Sequence, residues 1–171
     1  MSTAAAPQVK TSEIKTGKVK GRRKLRYNSL DEILADAERM VAVHAPTVGN
    51  WSKGQIYRHL AELMHASIDG FPFQPPWFAK VIGRLTKPYW LRFPMPAGIQ
   101  LPRKRAAKFI PDPQGDEEGL AFLRETIARM RREPKRVPSP LIGKLSTAQW
   151  EQFHCRHAEL HMSFIVPEAS R

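Results

Sequence analysis

Three histidines lie close together near the C-terminal end of the 171-residue chain, in the stretch QFHCRHAELHMSFI. They are His154, His157 and His161, half of the six histidines in the chain. His157 and His161 are four residues apart, so on a helix their rings share one face and lie one turn apart. Neutral imidazole is a common ligand of divalent zinc, nickel and iron. The spacing therefore allows these two side chains to bind one divalent ion.

A third ligand is expected from another helix, because His154 and His161 are separated by about 10 Å along a helix axis. His59 shares a face with Ile56 and Leu63 and is the expected third ligand, with His154 as an additional candidate. Three histidines leave coordination positions for water or substrate, which is typical of a catalytic metal site. The same spacing also fits a hydrogen-bonded pair of core histidines or a partly hydrated surface patch, and spacing alone does not separate these readings.

Four segments have helical periodicity and clear boundaries. Helix one starts at the cap Ser29 and ends before Pro46, and helix two starts at Ser52 with Gln55 three residues on. Helix three is DEEGLAFLRETIARMRRE, and helix four starts at Ser146 and ends before Pro167. The pattern predicts an all-α fold, a four-helix bundle of up-down-down-up order in which helices one and two are antiparallel neighbours.

Residues 71–115 form a long Pro-rich crossover between helices two and three, with nine of the fifteen prolines. Only WFAKVIGRL has helical periodicity there, so one short helix is expected. The basic cluster PRKRAAK includes Arg103 and Arg105, which would either orient an anionic substrate or lie in an exposed loop. The aromatic residues of the crossover would cover the core or form an association surface for a homodimer; they are Trp77, Phe78, Trp90 and Phe93.

Charge and composition narrow the class of protein. The formal net charge is +12, and residues 1–28 carry +7 of it through eight Lys or Arg and the single acid Glu13. We expect residues 1–24 to be a disordered basic tail and residues 25–171 to be one domain. The tail is either a solvated leader or a contact for the phosphates of nucleic acid or anionic lipid, and the solvated leader is the favoured alternative. With Cys155 as the only cysteine, a disulfide within the chain and a Cys-based zinc site are both excluded.

Neither a membrane-spanning run nor a secretory signal is evident, so we expect a cytoplasmic protein without a membrane partner.

Two motifs resemble a known superfamily. NWSKGQIYRHLAEL resembles the W-S-x-x-x-x-x-x-H-L signature of DinB-like proteins, and RHAELHMSF resembles their closing H-x-x-x-H helix. Residues 22–167 are similar to the branch catalogued as domain-of-unknown-function family 1569, through YNSLDEILADAERM, SIDGFPF and SPLIGKLSTAQWEQFHCRHAELHMSFIVP. The resemblance implies a DinB-like up-down-down-up bundle that binds a divalent metal through His59, His157 and His161. In DinB-like proteins an R-G-Q-like stretch usually follows the last histidine, whereas here His161 is followed by Met-Ser-Phe.

The function expected from these observations is that of a metal-dependent enzyme that activates a thiol or water nucleophile, of the transferase or hydrolase type. The expected cofactor is Zn, Ni or Fe, and the expected partner is a small molecule such as a low-molecular-weight thiol. Gln55, Tyr57 and Glu62 are near His59 in sequence and would serve either as supporting groups of the site or in plain surface roles. The alternative is a non-catalytic, metal-stabilised binding protein whose tail contacts nucleic acid or a protein.

Overall fold

A computed structural model describes residues 15–98 and 111–168 of the chain. Within these ranges the protein is helical and has no β-strand, which confirms the all-α class. After a short 3-10 turn at Thr16–Lys18, the helices are α1 (Leu30–Ala42), α2 (Lys53–Asp69), α3 (Trp77–Leu85), α4 (Lys87–Arg92), α5 (Asp116–Arg132) and α6 (Thr147–Met162). In the described ranges no helix is long and apolar enough to cross a membrane.

The predicted starts of α2 and α6 are confirmed by their caps. The Ser52 hydroxyl accepts from the amide of Gln55, and the Gln55 side chain accepts from the amide of Ser52, at 3.2 and 3.0 Å. Ser146 and Gln149 form the same reciprocal pair, with both distances at 3.1 Å. At α1 the Ser29 hydroxyl caps the amide of Glu32. These bonds satisfy amides that have no partner inside the helix, and so they fix where each helix begins.

The four long helices enclose the core. The most extensive contact is between α2 and α5, and both α1 and α2 also pack against α6, while α1 packs against α5. Core side chains from all four include Ile33, Ile56, Leu123 and Met162. α1 and α2 contact each other less extensively than each contacts α5 and α6, and their direct contacts include the hydrogen bond from the Tyr57 hydroxyl to the carbonyl of Ala37. Their antiparallel arrangement stays a prediction.

Two glycines allow α2 and α5 to touch backbone to backbone. A Cβ atom at Gly119 would lie 2.5 Å from the carbonyl oxygen of Gly54, and one at Gly54 would collide with the carbonyl oxygens of Gln114 and Gly115. Any larger residue at either position would therefore push the helices apart. This contact is at the first turn of α2, about five residues before His59.

The part of the N-terminal segment that precedes residue 25 already contacts the helices. Residues 1–14 of the predicted tail lie outside the described part of the chain, and residues 15–24 are described. The Arg23 guanidinium forms two hydrogen bonds to the buried Asp36 carboxylate on α1, at 2.9 and 2.7 Å. The Tyr27 hydroxyl donates to the same carboxylate at 2.5 Å. Arg23 is therefore a structural contact of α1.

The last helix is shorter than expected. It ends at Met162, not just before Pro167, and the chain then pairs with the segment that precedes α2. The amide of Val48 donates to the carbonyl of Phe164, and the amide of Val166 donates to the carbonyl of Pro46, both at 2.9 Å. These bonds draw residues 164–166 out of the helix and give them new partners.

The crossover contains two short helices in its described part, α3 and α4, rather than one. Pro88 is in the first turn of α4, where its missing amide costs no hydrogen bond, so the proline starts a helix instead of preventing one. α4 packs against α6, with Leu91 buried. Arg103 and Arg105 lie outside the described residues, and so does their predicted role.

Candidate metal centre

The structure brings three of the predicted ligands together. His59 is in the middle of α2, and His157 and His161 are on successive turns of α6. The Nε2 atom of His157 is 3.3 Å from Nε2 of His59 and 3.1 Å from Nε2 of His161. The three side chains each offer a nitrogen within 4.8 Å of the other two. The site thus joins residues that are 98 positions apart in the chain.

The two α6 histidines of the cluster, His157 and His161, remain neutral near pH 7. Burial, together with the neighbouring His161 and His59, holds the pKa of His157 well below its usual value of 6.5. Burial, with contributions from His59 and the positive charge of Arg22, lowers the pKa of His161 in the same direction. A nitrogen that carries a proton cannot bind a metal ion, so the neutral form is the one that ligation requires.

An aromatic and a cationic side chain border the cluster. The Trp51 ring stacks on His161 with centroids 5.3 Å apart and an angle of 8° between the planes, and it contacts His59 at 4.9 Å. The Arg22 Nε donates to the Ser163 hydroxyl at 3.0 Å, and its guanidinium lies 4.3 Å from the centre of the Phe164 ring. Trp51 therefore covers one side of the imidazoles, while Arg22 supplies a positive charge near them.

His154, the additional candidate, is not part of the cluster. Its Nε2 is 3.3 Å from the hydroxyl of Ser67, and its ring stacks on Trp150 at 5.3 Å. The side chain is buried, and burial lowers its pKa to about 3. His154 lies on the same side of α6 as His157 but about 4.5 Å nearer the start of the helix, where its ring meets Ser67 and Trp150 instead of His59. It is a neutral core histidine with a hydroxyl partner.

The other two histidines also lie elsewhere. His65 is half-buried, with its Nδ1 2.7 Å from Nη1 of Arg129 and its Nε2 3.0 Å from the hydroxyl of Thr126. His44 is exposed just after α1 and has a φ of 49°, in the left-handed region. Neither belongs to the group of three.

The proposed supporting residues have structural partners. Gln55 caps α2, and Glu62 accepts a hydrogen bond from Arg58 at 2.8 Å. The buried Tyr57 hydroxyl donates to the carbonyl of Ala37 at 3.2 Å, and burial raises its pKa.

Cys155 is buried in the core, which raises its thiol pKa to about 12 and leaves it protonated.

Sequence reasoning did not assign a role to Trp51 or Arg22. Trp51 is part of the NWSKGQIYRHL stretch and directly precedes the cap Ser52, so its place eight residues before His59 was a usable signal. Arg22 had no local signal, because its position depends on the pairing of residues 22–23 with the end of α6. The amide of Arg23 donates to the carbonyl of Ser163 at 3.0 Å, which brings the N-terminal segment there.

The fold and the cluster define a class: an all-helical protein with three convergent histidines from two helices. A family match is consistent with it. Residues 19–168 match the family described as Protein of unknown function (DUF1569), and the chain belongs to that family. This confirms the resemblance to family 1569. Neither a curated protein nor a solved structure matches the chain.

Proposed function

We propose that the protein binds one divalent metal ion through His59, His157 and His161, and that it is a metal-dependent enzyme of the transferase or hydrolase type. The observation that carries the proposal is the convergence of three Nε2 atoms from two helices. Zinc, nickel and ferrous iron all accept this set of ligands.

The distances fit a shared ion better than hydrogen bonding alone. Four-coordinate zinc has Zn–N distances of about 2.1 Å, so two nitrogen ligands of one ion are about 3.4 Å apart. The observed separations from His157 Nε2 are 3.3 and 3.1 Å. A ring nitrogen has a single in-plane position for a proton or a lone pair, so His157 Nε2 can pair well with one neighbour but not with two. A cation at the centre satisfies all three nitrogens.

Three protein ligands leave room for a fourth, exchangeable one. A divalent ion lowers the pKa of a water molecule or thiol bound to it, which makes a nucleophile available near neutral pH. The three histidines would hold the ion, and Trp51 would exclude water from one side. Arg22 would attract a substrate that carries negative charge, such as a small thiol with carboxylate groups. The proposed substrate class is therefore a low-molecular-weight thiol or another small anionic molecule.

The arrangement of the helices supports a DinB-like bundle of up-down-down-up order as part of the same proposal. Long helices α1, α2, α5 and α6 share one core, and the long connection between α2 and α5 permits these two helices to run parallel. A cytoplasmic location and a homodimer remain expectations of the same kind.

Metal analysis tests the site. Protein purified without chelator should contain close to one equivalent of zinc, nickel or iron, and His157→Ala should lose most of it because one of three ligands is missing. His44→Asn is the matched control: it removes an imidazole outside the cluster, and asparagine tolerates the positive φ at that position. Far-UV circular dichroism establishes that each variant is folded.

Two results would contradict the proposal. One is wild-type protein that contains no metal and takes up none of the three ions in a titration. The other is a folded His157→Ala that binds metal as tightly as the wild type. The enzymatic part is tested by a thiol-transfer screen on metal-loaded protein, where turnover that is equal in His157→Ala would exclude the cluster as its source.

A further inference from the structure

The helix α3 presents its apolar side to solvent. Trp77 and Leu85 are 76% and 77% exposed, and Phe78, Val81 and Ile82 are also exposed. These five residues fall within an arc of about 140° on the helix. Tyr89 of α4 and Phe93, the residue that follows α4, are exposed as well. Clustered, exposed apolar side chains of this kind are typical of interaction sites.

A glycine fixes α3 in this orientation. Gly83 is the one buried residue of the helix, and a Cβ atom there would lie 2.6 Å from the carbonyl oxygen of Leu141. The backbone of α3 therefore rests directly on the segment 139–143. Rotation of the apolar arc towards the protein would bring a side chain into this contact, so the outward arrangement is built into the fold.

The charged side chains of α3 and α4 are all positive. Between Asp69 and Asp112 the chain has no acidic residue and eight basic ones. Four of them are on or beside α3 and α4: Lys80, Arg84, Lys87 and Arg92. Two copies of such a surface would bring like charges together, which disfavours self-association. A negatively charged partner complements them.

A cleft lies next to the apolar arc. It has a volume of about 530 Å³, and its lining includes Lys80, Arg84 and Lys144. The charged residues of its lining are all cations, which suits a phosphate group, while the exposed indole and leucine side chains suit hydrocarbon. An apolar face with aromatic residues, flanked by Lys and Arg, is typical of helices that lie in a membrane interface.

We propose that α3 and α4 dock the protein on an anionic phospholipid surface. The apolar arc enters the boundary between headgroups and acyl chains, and the cleft of Lys80, Arg84 and Lys144 receives a headgroup phosphate. The proposed contact is with the membrane surface, and no segment crosses the membrane. The sequence analysis expected no membrane partner because the chain has no spanning segment, and the proposal modifies that expectation.

Vesicle co-sedimentation of the full chain tests the proposal, with phosphatidylglycerol vesicles compared with phosphatidylcholine vesicles. The wild type should bind the anionic vesicles at low salt and dissociate at high salt. Trp77→Ser/Leu85→Ser should reduce binding at least about tenfold, since two large apolar anchors are lost. Lys80→Gln/Arg84→Gln should remove the preference for phosphatidylglycerol. Val43→Ser is the control, because Val43 is 54% exposed but lies at the end of α1.

Three outcomes would overturn the proposal. One is wild-type protein that stays in solution with phosphatidylglycerol at low salt. A second is unchanged binding by Trp77→Ser/Leu85→Ser, which would place the contact in the basic N-terminal residues. The third is a wild-type dimer in light scattering that becomes a monomer in this variant, which would make a second copy the occupant. Repeating the assay after chelator treatment separates the result from the metal proposal, because docking should not need the ion.

Discussion

Polar side chains of α6 face the interior of the protein, whereas apolar side chains of α3 face solvent. α6 turns polar rings towards the inside, where His157 and His161 meet His59, and it buries Arg156 against Glu159. α3 turns Trp77 and Leu85 towards the outside. A periodic pattern shows which side chains share a face, but the neighbours of the helix decide which face is buried. In both helices the exception to the usual arrangement coincides with a proposed function.

Loss of a buried carboxylate is the strongest test of the inward polar groups. Asp36→Asn should lower the free energy of unfolding by about 4 kcal/mol, because it leaves the Arg23 charge without its buried partner. Chemical denaturation at pH 7 measures the change. Glu38→Gln, which affects an exposed pair with Arg124, should cost less than about 1 kcal/mol. Equal effects of the two substitutions would show that the Asp36 network is as weak as a surface pair.

The pKa of Asp36 gives this network a pH dependence. Burial raises that pKa, but hydrogen bonds from Arg23 and Tyr27 outweigh burial and hold it below the usual value. A carboxylate with a lowered folded-state pKa stabilises the protein above its unfolded pKa, and this contribution is lost as pH falls through the folded value. In wild-type protein it should therefore disappear only below about pH 4.

Substitution of one buried and one exposed leucine compares the core with the surface of α3 directly. Leu123→Ala should cost about 3 kcal/mol, because Leu123 on α5 is fully buried and its removal leaves a cavity. Leu85→Ala should change the free energy of unfolding by less than about 0.5 kcal/mol, since the side chain is already in water. Thermal and denaturant unfolding of both variants would check this. A large loss for Leu85→Ala would mean that α3 is covered in solution.

The lowered pKa of His154 predicts a smaller effect of pH on the free energy of unfolding. Its pKa is lowered to about 3 in the folded protein by burial, whereas the unfolded chain takes up the proton below about 6.5. The free energy of unfolding should therefore fall as pH decreases from 6.5 towards 3, with about 2 kcal/mol from this residue between pH 7 and pH 5. Denaturation curves at the two pH values measure it. The difference should shrink in His154→Gln and stay the same in His44→Asn.

Sequence patterns within one helical turn predicted the starts of the helices and two of the three site histidines. The reciprocal caps at Ser52 and Ser146 and the i, i+4 pair His157 and His161 act within one turn, so the sequence alone indicates them. His59 was expected in the site because its face of α2 carries Ile56 and Leu63. The early end of α6 was missed because it depends on hydrogen bonds between residues 46–48 and 164–166, which are far apart in the chain.

The positions of Arg22 and His154 also depend on distant partners. The place of Arg22 follows from the hydroxyl of Ser163, and that of His154 from Ser67 and Trp150. The sequence left open whether the aromatic residues of α3 cover the core or form a surface, since the contact of Gly83 with Leu141 decides it. Tertiary contacts of this kind leave no periodic trace in a single sequence.

The contact between Gly54 and Gly119 makes the first turn of α2 a fixed reference point. Because two main chains touch there, α2 cannot slide along α5 without a collision. His59 is about 7.5 Å further along the same helix, so its height relative to α5 is set by a contact that includes no side chain. A single methyl group at position 119 would therefore shift α2 against α5 and move His59 with it.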